Sequence, residues 1–506
     1  MAPVRTTVAA ALLALGQSAA RAACPAAASY DVIVFGSTPA GCAAAVAARQ
    51  TDAKSRVLLL EPTRYVGGMG SPGGIGLRDG QDFYRQTNST QWQWGMRNAR
   101  HYGVSAPVWQ PDLYVAERSF RDMLEEAGVE LCTETTFVEG AAGVRVESGA
   151  AGRRIAALAV VPASAAAPAP TAAADGGLGA ARWVAGRYFI DASYEGEVLQ
   201  AAGCSYAYGR EAASEYNESL GGVGMNGGTL ITEPQNQMQP SVSPFKVAGD
   251  ESSGLLWGVV EGPDPRTSLG DADENMMAYA YRVCITQNKS NSVPIPKPPG
   301  YDPQDFELVR REVLAELKAT GKVSDTAWGN MVFNGYDQVL KSMKYDACCG
   351  GAAVGIEAVG LERGYATANR TRRAQIAAAI KYWDAGMMWF WANDPAVPAE
   401  IRASHQSYGL CKDEWPENGH FPPQLYVREA ARLIGDRVYT QNSRIMDGRC
   451  PSGECCQKDG VALGAWGYDV HDMQRVAVKN ETTGEWSAFN EGLTGCGFGF
   501  PGKGCE

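Results

Sequence analysis

The run Asp31-Val-Ile-Val-Phe35, the turn Gly36-Ser37-Thr38-Pro39-Ala40-Gly41, the Ala-rich stretch Cys42 to Gln50 and the run Arg56-Val-Leu-Leu-Leu60-Glu61 together decide the fold. The first run is short and apolar throughout, the pattern of a strand covered on both faces. The stretch after the turn has strong helix propensity and side chains small enough to pack closely on a sheet. The second apolar run reads as another strand, with Glu61 at its end. This is a βαβ unit, and it predicts an α/β chain whose first lobe is Rossmann-like.

A strand, a tight glycine turn and a helix bring unpaired N–H groups and the positive end of a helix dipole to one point, which suits a pyrophosphate. Glu61 stands where a carboxylate can accept two ribose hydroxyls, and it disfavours a 2′-phosphate. Thr38 departs from the G-x-G-x-x-G pattern at its second glycine. It adds a Cβ, but also a hydroxyl that can donate to phosphate. Gly36, Thr38, Pro39, Ala40, Gly41 and Glu61 are the candidate dinucleotide contacts.

Working outward, glycine is dense between Tyr65 and Gly80, which lets backbone approach a ligand. Tyr114 to Ala127 reads as an amphipathic helix, with strands at Val129 to Cys132 and within Phe137 to Val146. Residues 161–181, nearly all Ala, Pro and Gly, read as a loop insertion. Arg187 to Ile190 resumes a strand that ends at Asp191-Ala-Ser-Tyr-Glu-Gly-Glu197. Helices are expected at Phe306 to Thr320, Thr371 to Phe390 and Leu425 to Ile434. The division this suggests is a nucleotide-binding domain over 30–225, an interleaved mixed α+β substrate or cap domain over 226–435, and a Cys- and Gly-rich segment over 436–506.

With Pro62-Thr-Arg-Tyr-Val-Gly67-Gly68-Met69-Gly70 added, the chain resembles the FAD-dependent oxidoreductase family of the glutathione-reductase-like flavoprotein superfamily. The Gly36 to Gly41 turn, Glu61 to Met69 and Asp191 to Glu197 carry the likeness. Tyr208-Gly-Arg-Glu211, Ala278 to Ile285, Trp391-Ala-Asn-Asp-Pro395 and Gly419 to Glu429 extend it, over about Tyr30 to Gln474. The family accepts Thr at position 38. The resemblance implies FAD as cofactor, held also by Arg64, Gly67, Gly68 and Met69, with Asp191 ending a strand beneath the flavin. An elongated cofactor needs such a second backbone contact. The family's closing strand-to-helix turn has no counterpart in Phe498 to Glu506, which reads as a C-terminally truncated chain or a pocket open at one end.

The flavin would perform the redox step, leaving the protein to orient substrate and manage a proton. His420, on an irregular segment between Gly419 and Pro422-Pro423, is the candidate for proton transfer; a hydrogen-bonded structural His is the alternative. Arg210 and Arg428 could clamp an anionic substrate, or form structural pairs with neighbouring acids. Trp389-Phe390-Trp391, Trp92 and Trp94 could line a channel or fill a core. Adjacent Cys348-Cys349 and Cys455-Cys456 lack the intervening residues of a flavin-facing redox pair. No hydrolase or kinase signature is present.

Composition agrees. With 506 residues, 45% of them hydrophobic, the chain can bury substantial cores. A net charge of −11 argues against nucleic acid as a partner. The longest apolar stretch, Val8 to Gly16, is about half of what a bilayer needs, so no membrane span is expected. Arg5, that stretch and Ala20-Arg21-Ala22 read as a signal peptide over residues 1–22, with organelle import as the alternative. Five sequons, at Asn88, Asn217, Asn288, Asn369 and Asn480, could carry glycans in a secretory lumen. The 13 cysteines suggest disulfides, and neither they nor the four histidines show zinc spacing, so no metal is expected.

The function these features favour is an FAD-dependent oxidoreductase that takes a hydride from a small organic substrate and is reoxidised by oxygen or another small acceptor. Its rivals are a non-catalytic secreted glycoprotein, a binding module on a degenerate flavoprotein scaffold, and an NAD-dependent dehydrogenase. Substrate, oligomeric state and disulfide connectivity are not encoded legibly.

Overall fold

Strand β1, Ser29–Phe35, is the axis of the first lobe: β2, Val57–Glu61, lies parallel to it on one side and β7, Arg182–Asp191, on the other. The computed structural model describes residues 24–75, 88–150, 152–165, 181–224, 237–323, 333–334, 343–348, 353–443 and 470–492. The expected signal peptide, most of the 161–181 insertion, Cys349, the cysteines from 450 to 456, Cys496, Cys505 and the chain's last residues lie outside these.

Between β1 and β2 runs α1, Pro39–Thr51, whose Cys42, Ala45 and Val46 are buried against the sheet. Helix α3, Leu113–Ala127, packs against α1, and α2, Thr90–Tyr102, packs against α3. The chain then adds β3, Glu130–Thr133, β4, Thr135–Phe137, β5, Val144–Gly149, and β6, Gly152–Pro162. The sheet order is β3-β2-β1-β7-β6-β4, with β5 also on β6. Its parallel heart is apolar on both faces: Ile33, Phe35, Leu58 and Leu60 face one core, Val34, Val57 and Leu59 the other. That two-sided burial is what the continuous apolar runs encode. The α/β class and the βαβ unit are as the sequence indicates.

Two boundaries differ. Val161 and Pro162 are strand residues at the end of β6, where Thr135 and Thr136 pair with them, so the insertion begins later than the composition suggests. Strand β7 begins at Arg182 because β6 supplies an antiparallel partner for that half of it.

After β7 comes the short helix α4, Glu197–Ala201. A second lobe is built around α6, Arg370–Asn393, with α5, Glu307–Thr320, and α7, Ala399–Gln406. Trp383, Phe306, Tyr279, Met387 and Phe390 lie at its centre. Phe390, Trp391 and Trp94 are all buried, which favours the core reading of these aromatics. A five-stranded sheet flanks the core, its middle strand Val283–Thr286 pairing with Lys344–Ala347 and Gly409–Cys411. The hairpin Asp472–Lys479 and Trp486–Gly492 reaches the same core through Ala488. The expected helix at Leu425 to Ile434 does not form. Tyr426 pairs with Ala280, and Arg432–Leu433 pairs with Tyr206–Ala207, so the tertiary partners hold this segment extended.

Two disulfides tie described residues together, Cys24–Cys132 at the edge of the first sheet and Cys284–Cys411 in the second lobe. Neither joins the glycine-rich cysteines the sequence singles out. Cys348 is also disulfide-bonded.

Two outcomes test this packing. A Cβ at Gly386 of α6 would lie 2.0 Å from Phe306 Cζ, so Gly386→Ala should cost about 1–3 kcal/mol, read from the denaturant midpoint. Burial pushes the Glu312 carboxyl up to about 7, and Glu316 adds to this, while the Gln239 amide and Arg475 oppose it. A folded pKa above the unfolded one gives stability that is full below about pH 4.5 and lost as pH rises through 7. Glu312→Gln should remove that slope, gaining on wild type by on the order of 2 kcal/mol between pH 4.5 and 7.5.

Candidate functional site

The turn after β1 is closed by contacts that only glycine permits. Gly36 has φ +95, and its N–H donates to the Leu60 carbonyl at 2.9 Å. A Cβ at Gly41 would stand 2.0 Å from the Gly36 carbonyl oxygen, and one at Gly36 would stand 2.8 Å from that of Ala192. Position 38 is the N-cap of α1: its hydroxyl accepts from Gly41 N at 3.1 Å and donates to the Ala192 carbonyl at 2.9 Å. The Thr38 hydroxyl, expected to reach a phosphate, is therefore spent inside the turn.

What remains open is the main chain. Pro39 has no N–H, and the amides of Thr38 and Ala40 have no acceptor among the described residues, with Ala40 exposed. Two unpartnered N–H groups at the positive end of a 13-residue helix form an anion seat.

Glu61 lies at the tip of β2 beside this seat. Its Oε2 accepts from Ser37 N at 2.9 Å and Ser37 Oγ at 2.7 Å, and its Oε1 accepts from the Thr63 N and Oγ1, both at 2.8 Å. Two of the four donors are hydroxyls, which rotate, so two acceptor sites can be released to a diol.

The second glycine strip docks directly on the first turn. Gly67 N donates to the Ser37 carbonyl at 2.8 Å, and Met69 N donates to the Tyr194 hydroxyl at 2.7 Å. Gly67 and Gly68 have φ +104 and +48, and a Cβ at Gly68 would lie 2.5 Å from the Tyr194 oxygen and 3.1 Å from Thr38 Cα. Burial pushes the Tyr194 phenol up, so it stays a neutral hydroxyl. Arg64 is exposed, its guanidinium 5.7 Å from the Tyr65 ring centre. Further along the strip, Gly74 meets the Arg282 carbonyl, so the strip runs from the first lobe onto the second.

Asp191 ends β7 with its carboxylate turned onto its own loop, accepting from Ser193 N and Oγ and from the Val198 and Leu199 amides at 2.6–3.0 Å. It fixes the loop that presents Ala192 and Tyr194. Burial pushes its pKa up, against those four donors.

The three catalytic candidates part company. His420 is half-buried with φ +63, and its Nδ1 lies 3.1 Å from the Glu414 carbonyl. A carbonyl only accepts, so Nδ1 carries the proton and Nε2 is the basic nitrogen. Its segment reaches the strip through Glu417, whose Oε1 accepts the Tyr65 hydroxyl at 2.7 Å. Arg210, by contrast, is gripped by Asp273 and Glu491 with four hydrogen bonds. Arg428 bonds the Ala278 carbonyl and Glu357, with its guanidinium 4.2 Å from the Tyr426 ring centre. Both arginines are buried among protein acceptors, which favours the structural alternative to a substrate clamp.

Sequence reasoning missed the Tyr194 contact, the Tyr65–Glu417 bond and the pairing of Glu357 with His471 at 2.6 Å. Tyr194 lies inside a quoted motif and could have been found. Tyr65 and Glu417 are 352 positions apart, and nothing local links them.

A model of the family described as FAD dependent oxidoreductase matches residues 31–491. Solved structures similar to parts of the chain include THI4 of Thermovibrio ammonificans, at 16% identity over 38% of this chain and 71% of that one, TM-score 0.25. OxyS anhydrotetracycline hydroxylase from Streptomyces rimosus is 18% identical over 36% of each chain, TM-score 0.20. The 3-ketosteroid delta1-dehydrogenase of Sterolibacterium denitrificans is 12% identical over 37% of this chain and 58% of that one, TM-score 0.22. No curated protein matches the sequence.

The turn generates its own test. Gly41→Ala must displace either α1 or the Gly36 carbonyl, so it should lower FAD affinity at least tenfold and cost about 1–3 kcal/mol of stability. Flavin fluorescence titration and thermal unfolding read the two effects.

Proposed function

We propose, since the chain belongs to the FAD dependent oxidoreductase family, that it oxidises a small organic substrate with FAD held across the Gly36–Gly41 turn and the Gly67–Met69 strip. The observation that carries this is the pair of amides, Thr38 and Ala40, that find no acceptor among the described residues at the head of α1, beside the strand-end carboxylate of Glu61. The residues present fit the group. Amides and helix dipole suit the diphosphate, Glu61 the ribose diol, and the bare backbone of Gly67 and Gly68 leaves room for an extended cofactor. FAD, when bound, supplies the acceptor for a hydride.

The chain's own residues do the rest. Tyr194 fixes the Met69 amide and thereby the conformation of the strip. His420 Nε2, with Nδ1–H tied to the Glu414 carbonyl, takes the proton released from a substrate hydroxyl or amine. Oxygen or another small molecule would serve as the final electron acceptor. The glutathione-reductase-like assignment rests on the same turn, strip and strand-end acid.

We place the protein in a secretory lumen. Three observations support this: the leader-like first 22 residues, disulfides at Cys24–Cys132 and Cys284–Cys411, and exposed sequon asparagines at Asn88, Asn217, Asn369 and Asn480.

The test is spectroscopic. Purified protein should be yellow, release FAD on denaturation and bleach with its substrate. Saturating FAD at about 100 times Kd should stabilise it by about 2.7 kcal/mol, and Glu61→Ala should forfeit most of that gain. A colourless protein that folds, is secreted and ignores added FAD would instead be the non-catalytic binding module. Loss of mass on enzymatic removal of N-glycans checks the compartment.

A further inference from the structure

We infer that segment 411–420 of the second lobe is a latch on the cofactor strip of the first, with Glu417 as its positioning residue. This rests on the reading that Gly67 to Met69 grips FAD. Three anchors hold the segment. Cys411 is disulfide-bonded to Cys284 in the strand Val283–Thr286, with both residues fully buried. Glu414, also fully buried, accepts from the Leu113 and Tyr114 amides at 2.9 and 3.1 Å and from Lys344 Nζ at 2.6 Å. Lys344 in turn meets Asp112 at 2.7 Å and Asp413 at 2.9 Å. The first turn of α3, a first-lobe helix, is thus capped from 300 positions away. The third anchor is Glu417 on the Tyr65 hydroxyl.

Within the segment the backbone is strained. Trp415 and His420 have φ +41 and +63, left-handed values that cost an L-residue about 1–2 kcal/mol each and persist only where the surroundings over-determine them. The surroundings do so: the buried Trp415 packs with Leu113, Cys284, Cys411 and Tyr65. Its carbonyl accepts from both Asn418 N and His420 N.

Tyr65 stands two residues before Gly67, so restraining its ring restrains the strip. A segment that is fastened in the second lobe, caps a first-lobe helix and holds Tyr65 joins the lobes beside the strip that, on this reading, grips the cofactor. Its function follows from that placement. It slows FAD release, and it carries His420 into register with the strip.

The experiment measures FAD dissociation from the holoprotein by the rise of flavin fluorescence on dilution. Glu417→Ala and Tyr65→Phe should each speed release about five- to twentyfold, and the double variant should add nothing further, because both remove the same bond. Cys284→Ala with Cys411→Ala should do likewise. Cys24→Ala with Cys132→Ala, on the edge strand β3 of the first sheet, should lower Tm yet leave release within twofold of wild type. Unchanged release in Glu417→Ala, additive effects in the pair, or equal acceleration by the Cys24/Cys132 variant overturns the latch. Should the Cys284/Cys411 variant fail to fold, the Tyr65–Glu417 pair decides alone. A wild-type protein that holds no FAD would sink the functional reading instead. The latch would then be judged by proteolysis within 411–420, where faster cutting of Glu417→Ala supports it and unchanged cutting overturns it.

Discussion

A hydrogen atom in place of a side chain at Gly41 sets the geometry on which the rest of the first lobe depends. With any Cβ there, α1 would be driven off the Gly36 carbonyl, and the helix could not start directly above β1. Because it does start there, Thr38 can cap it while touching Ala192 at the end of β7. Three consecutive parts of the sheet, the ends of β1, β2 and β7, therefore converge within hydrogen-bonding range of one helix N-terminus. The register completes the arrangement: Phe35 pairs with Leu60, so Glu61 projects just past the end of β1, level with Ser37. The head of α1 and the strand-end carboxylate of Glu61 stand side by side as a consequence of strand order and one missing methyl group.

The second lobe solves a different problem. Its segments come from distant parts of the chain, and buried ion pairs bring them together: Arg282 with Asp346, Arg428 with Glu357, Arg210 with Asp273 and Glu491, Lys344 with three acids. Such pairs are a poor source of net stability, since desolvation offsets most of their attraction, but removing one partner strands the other charge at a cost of about 3–5 kcal/mol. They penalise wrong arrangements more than they reward the right one. That suits a lobe whose strands are short and whose pairings join residues some 60 to 280 positions apart.

This difference explains what could be read from the sequence. The βαβ unit, α3, α5 and α6 were legible because their signals are local: apolar runs of strand length, helical periodicity, caps and a glycine turn. The local geometry of the proposed nucleotide site was legible for the same reason, since Gly36, Gly41 and Glu61 all fall within one supersecondary unit. Leu425 to Ile434 misled because its composition favours helix while its partners, Ala280 and Tyr206–Ala207, lie far away in sequence. The roles of Arg210 and Arg428 were open for a related reason. A guanidinium ready for substrate and one saturated by protein carboxylates look identical in sequence, and only the acids opposite distinguish them.

Position 38 shows how a departure from a motif can keep the motif's physics. Thr38 has φ −60 and ψ 167, ordinary extended values, so the turn does not need glycine's conformational freedom there. It needs room. The hydroxyl is folded inward onto Ala192 and Gly41, and the space a second glycine would have left is provided across the gap by Gly68, where even a methyl group would collide with Thr38 Cα and the Tyr194 oxygen. The close approach of two backbones is retained, with the bare position moved from the first strip to the second. Glycine at 68 should thus be the stricter requirement of the two, and Thr38→Gly should loosen the helix cap before it widens the site.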